Sequence, residues 1–214
     1  MAEISTVIVE VRGLGLRLTS LAVALFVAAS LAAGLQAQEA KPIVSDEPLT
    51  AEQLAVYQVV LHGWMEREVS VINLSIQTIP LPMSGALDAS ECAKGLDLEP
   101  ASPNLVHRFR AQDLSQLGSA KIGLVDPERH EREIAENDPG KAIQTGKSVD
   151  EAVSNGFGHG MVTLSEIRFD KEHKHAVVSY SFHCGGLCGN GGAVVLEKVD
   201  GAWRRKSNCS NWIS

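Results

Sequence analysis

The chain has 214 residues, a formal net charge of −7 and four cysteines, with 44% hydrophobic and 21% charged residues. That length fits one ordinary domain with room for a leader and argues against a multidomain assembly. The acidic balance argues against a nucleic-acid partner, whose phosphates are met by clustered Lys and Arg, and the apolar share argues against a wholly disordered chain.

From Leu18 to Ala37 the chain carries no charge, and Arg12 and Arg17 precede the run. An apolar stretch behind positive charge, ending in Leu35-Gln36-Ala37, predicts a secretory signal over residues 1–37 with cleavage before Gln38. The rival is an uncleaved anchor, because twenty apolar residues can just span a bilayer. Membrane contact is expected only in that case. The small residues from Ala28 to Gly34 favour processing. Glu3 and Glu10 sit badly in a region that should be basic, whereas translation from Val11 would leave a short positive segment. Those two acids balance Arg12 and Arg17, so the net charge is the same after cleavage.

Residues 38–49 hold Pro42 and Pro48 and read as an extended lead-in to a single domain over 50–214. Thr50 and Gln53 stand at capping-box spacing, and Leu54, Tyr57, Leu61 and Trp64 form an apolar helical stripe. Between Ser70 and Thr78, Ile72, Leu74 and Ile76 alternate with Asn73, Ser75 and Gln77, which predicts a strand. Residues 83–101 have little periodicity and read as a long loop around Cys92. Ser102-Pro103 predicts a helix start, with Val106, Phe109 and Leu117 on one side and Gly118 closing it. Asp126-Pro127 predicts a short, charged surface helix that stops before Asp138-Pro139-Gly140. Strands follow from Val162. Ala176, Val178, Tyr180, Phe182 and Cys184 share one face, and His175, Val177, Ser179, Ser181 and His183 share the other, solvated one. Asp200-Gly201 is a tight-turn signal that places Glu197 opposite Arg204. Early helices and a late antiparallel meander of about four strands predict an α+β fold. The face with Val178, Tyr180 and Phe182 should pack on the Leu54–Trp64 stripe.

Four cysteines in an exported chain form an even set in an oxidising compartment, periplasmic or extracellular, and predict disulfides in one of three connectivities. The flexible Gly185-Gly186-Leu187 connector favours Cys184 with Cys188, which leaves Cys92 to pair with Cys209. The rival is a zinc site on Cys184, Cys188, His183 and Cys209, but only one C-x3-C pair is present and thiolates need a reduced state. No metal and no cofactor is expected. His175 and His183 lie about 27 Å apart along a strand and cannot share an ion. His130-Glu131-Arg132-Glu133 lacks the second His of a zincin helix. The glycine runs Gly156–Gly160 and Gly189–Gly192 lack the context of dinucleotide or phosphate loops and read as turns or bulges.

The segments LSEIRFD at 164–170, AVVSYSFHCGGLCGNGG at 176–192 and LEKVDGAW at 196–203, with the closing WIS at 212–214, resemble an uncharacterised group of exported bacterial proteins. The plan of early helices, a late curved meander and a D-G-x-W turn is also similar to the nuclear-transport-factor-2-like cone folds. Neither resemblance carries an assigned residue. The sequence therefore points first to a disulfide-stabilised binding protein without catalysis, whose partner is a small molecule or an envelope component. A hydrolase or isomerase with His183 or His159 as general base is the second reading. A proteinaceous inhibitor using the Cys184–Cys188 loop is the third.

Overall fold

The computed structural model describes residues 41–65, 71–100, 102–118 and 121–214, so the leader, its cleavage point and the side chain of Trp64 lie outside the described residues. Lys41–Ser214 form one compact unit. The chain enters through β1 (Ile43–Val44), followed by helix α1 (Ala51–Met65). Its capping box is reciprocal: Gln53 Oε1 accepts from the Thr50 N–H at 2.8 Å and Thr50 Oγ1 accepts from the Gln53 N–H at 3.1 Å. Two otherwise orphaned donors are thereby satisfied. Leu54, Val56, Tyr57, Val60 and Leu61 are buried along its inner side. They belong to one core cluster with Val178 and Phe182, against which Tyr180 packs.

β2 (Ile72–Ser75) leads into the single helical turn α2 (Ser90–Ala93), and β3 (Leu105–Val106) pairs parallel with β1 as a two-stranded ribbon. The helix expected from Ser102 does not form. Here the chain is extended, with backbone bonds to its neighbours: Ser45 N–H to Val106 O at 2.8 Å and Phe109 N–H to Ile76 O at 2.9 Å. Only Ala111–Ser115 coils, as a 3-10 turn. Val106, Phe109 and Leu117 are buried all the same, Phe109 and Leu117 in the main core cluster.

β4 (Ile122–Val125) is followed by α3 (Pro127–Glu136), α4 (Pro139–Gln144) and α5 (Val149–His159). Asp126 caps α3 as expected, accepting from the Arg129 N–H at 2.9 Å. Two of the three helices depart from expectation. Asp138-Pro139 ends one helix and starts the next, with Asp138 accepting from the Lys141 N–H at 3.1 Å. Gly156 to His159 are helical and not a turn. Gly156 is small because Pro139 lies against it: an added Cβ would stand 2.4 Å from Pro139 Cγ.

β5 (Met161–Leu164), β6 (Arg168–Phe169), β7 (His175–Gly185), β8 (Cys188–Val199) and β9 (Ala202–Ile213) complete a seven-stranded sheet of order β4-β2-β5-β7-β8-β9, with β6 beside β7. β5, β7, β8 and β9 are the expected antiparallel meander. β2 adds to it in parallel with both β4 and β5; residues 76–121 connect it to β4, and α3–α5 lie in the crossover from β4 to β5. The architecture is α+β with a mixed sheet. Asp200 (φ 52°) and Gly201 (φ 80°) make the two-residue hairpin turn and set Glu197 opposite Arg204.

Two further expectations are corrected on β7 and β8. The second face of β7 is not solvated: Val177 and Ser179 are fully buried with Ala193 and Val195 under the 81–98 segment. Gly189–Gly192 are within β8 and not in a turn. The indole of Trp212 lies across them, and a Cβ on Gly191 would stand 2.5 Å from its Nε1.

Candidate functional site

Three residues far apart in the chain meet where β2 runs out. The Gln77–Arg108 bridge brings His107 beside Thr78, and the Ile79–Ser165 bridge brings Glu166 to the same place. Glu166 is pinned by its own backbone, its N–H donating to Ile79 O at 2.7 Å. Its carboxylate accepts from the Thr78 hydroxyl and the His107 N–H (2.8 Å) on Oε1, and faces His107 Nδ1 at 2.9 Å on Oε2. An ionised carboxylate only accepts, so Nδ1 donates to it, and in the neutral ring Nε2 is then the acceptor. No described residue bonds to that nitrogen. Both side chains are largely shielded, at 12% and 16% exposure. Below them the Tyr57 hydroxyl donates to Ser165 O at 2.9 Å. Burial first, and the nearby Glu166 charge second, push that phenol well above its ordinary value.

His107 and Glu166 open onto a cleft of about 600 Å³ between the start of α1, the loop after β2, β3 and β6. Leu81, Met83, Leu105, Ile167 and Phe169 supply the apolar part of its lining, and Gln53 and Ser102 add uncharged polar groups. The lining holds two carboxylates, Glu99 and Glu166, against one guanidinium, that of Arg168. Arg168 Nη2 donates to Glu99 O at 2.7 Å, while its buried Nε has no partner among the described residues.

A charged clamp backs the wall. His173 stacks on Phe169 (4.8 Å between centroids), with Nδ1 2.9 Å from Glu52 and Nε2 3.3 Å from Glu99. The hydrogen bond to Glu52, then that to Glu99, hold the imidazolium form above its ordinary value against burial. Burial alone would raise Glu52, but hydrogen bonds from Lys198 and His173 outweigh it and lower that carboxyl. So His173, at a turn, ties α1 to the segment before β3.

The histidines singled out by sequence stand elsewhere. His183 faces Glu131 at 3.5 Å, and His159 Nδ1 sits 2.9 Å from Asn155 O in its own helix. Neither lines the cleft. His175 is also partnered, with Nδ1 2.9 Å from Asp170. The cysteines are joined as Cys92–Cys209 and Cys184–Cys188, with Cα atoms 5.4 and 5.1 Å apart. Among the described residues, no three His, Cys, Asp or Glu side chains are grouped to hold a metal, and no helix is long and apolar enough to cross a membrane. His107 and Glu166 carry no local signature: 59 residues separate them and only the fold unites them.

Fold and site together define a disulfide-stapled α+β domain with a carboxylate-held imidazole in the lining of a cleft of mixed polarity. Compared with protein-family models, curated proteins and solved structures, the chain finds no match. The two disulfides fit a compartment outside the reducing cytoplasm.

Proposed function

We propose that this is an exported protein, periplasmic or extracellular, that binds a small molecule in the cleft over His107 and Glu166. One observation carries the reading: a cleft of about 600 Å³ with apolar and polar lining, to which belongs an oriented imidazole whose second nitrogen has no partner among the described residues. Apolar walls with a few convergent polar groups are the general form of small-molecule sites. Export is supported by the apolar run behind Arg12 and Arg17, the two disulfides and the resemblance of the C-terminal segments to exported bacterial proteins. The test is thermal shift of the purified protein across a metabolite library, repeated with Leu105→Glu. A hit that Leu105→Glu abolishes supports the cleft. A library without hits, or a hit that Leu105→Glu leaves intact, contradicts it.

A second reading rests on a different observation. Leu187 is 84% exposed at the tip of the hairpin that Cys184–Cys188 closes. A rigid loop presenting one apolar side chain suits insertion into a protease pocket. Titration of a protease panel with no slowed cleavage would remove that reading.

A further inference from the structure

We infer that His107 acts as a general base on water, which makes the cleft the active site of a hydrolase for uncharged carboxylic esters with an apolar acyl chain. The inference rests on the cleft being a ligand site and adds chemistry to it. A general base needs a fixed tautomer, a bare nitrogen and room for the reacting atoms. Glu166 supplies the first by accepting from Nδ1, and it is held by Thr78 and the His107 N–H so that it cannot turn away. Nε2 is bonded to no described residue, and the cleft supplies the room. All four cysteines are in disulfides and no hydrogen bond joins Nε2 to a described hydroxyl, so water is the nucleophile assigned here.

The walls select the substrate. Leu81, Met83, Leu105, Ile167 and Phe169 match an alkyl chain. Two carboxylates against one guanidinium disfavour an anionic substrate and favour departure of an anionic product. In the step, a water proton passes to Nε2 while the water oxygen adds to the ester carbonyl carbon. The tetrahedral oxyanion then collapses, the bond from carbon to the alkoxy oxygen breaks, and that oxygen takes the proton back from Nε2. Ester and water give acid and alcohol, and the acid ionises to solvent. Arg168 is the one guanidinium of the lining.

The experiment uses 4-nitrophenyl hexanoate for turnover and hexanophenone, which keeps the carbonyl but has no leaving oxygen, for binding. Wild type should hydrolyse the ester, and His107→Gln should lose roughly 100-fold or more in kcat, the usual share of a general base. Hexanophenone should still bind to His107→Gln. Glu166→Gln, which alters a positioning residue, should lower kcat with little change in KM. A solvent deuterium isotope effect on kcat should appear in wild type and be absent from the residual rate of His107→Gln. If hexanophenone binds and the wild-type rate equals that of His107→Gln, the base is overturned and the ligand site stands. If hexanophenone does not bind wild type, the site itself fails and the base with it. Should His107→Gln not fold, inhibition of wild type decides. Turnover that saturating hexanophenone leaves untouched lies outside the cleft and overturns the inference.

Discussion

Among single residues, Glu166 holds the site together. It collects three donors from two other segments, and a neutral amide cannot serve all of them. Glu166→Gln should therefore destabilise the fold by about 1–3 kcal/mol, the cost of leaving a shielded donor unpaired, as read by urea unfolding. His173 gives a pH signature. Its folded value lies above its ordinary 6.5, so its stabilisation is complete below that and is lost as pH rises through the raised value. Glu52 has the opposite sign: its contribution is present above its ordinary 4.5 and is lost as pH falls through the lowered value. The stability difference between wild type and His173→Gln should thus shrink between pH 6 and pH 8. At 41% exposure the effect is small, and a difference that grows with pH would contradict the clamp.

At the scale of elements, Asp138 performs two tasks. It caps α4 through the Lys141 N–H and accepts the Gly186 N–H at 2.6 Å, which ties α4 to the Cys184–Cys188 hairpin. The Gly186 hydrogen bond is the largest cause of its lowered carboxyl value. Asp138→Ala should cost about 1–2 kcal/mol, at the upper end of a cap substitution. It should also speed amide exchange at Gly186. The sequence was legible where a signal is local: the Thr50–Gln53 box, the Asp126 cap and the Asp200-Gly201 turn all sit as their spacing predicts. It misled where one pattern serves two structures. Val106 and Phe109 fit a helix face, yet pairing with β1 and β2 draws that segment into extended form. Gly156 and Gly191 look like turn residues, but they are small because Pro139 and Trp212 pack against them.

At the scale of the whole molecule, the long segment between β2 and β3 is the surprise. It covers the second face of the sheet, and Cys92–Cys209 fastens it to β9 across 117 residues of sequence. On the chain-entropy model a loop of that length is worth about 5 kcal/mol, against about 2 kcal/mol for the short Cys184–Cys188 ring. The Cys92→Ser, Cys209→Ser variant should therefore lose far more stability than Cys184→Ser, Cys188→Ser, as compared by denaturant midpoints. The candidate site was not legible at all, because Thr78, His107 and Glu166 become neighbours only once β2, β3 and β5 are placed. Amide chemical-shift mapping of the labelled protein, titrated with its strongest library hit, shows whether that site holds the ligand. Perturbations centred on Leu105, His107 and Ile167 are the predicted result. Perturbations confined to Leu187 and its hairpin, with the cleft silent, would contradict it.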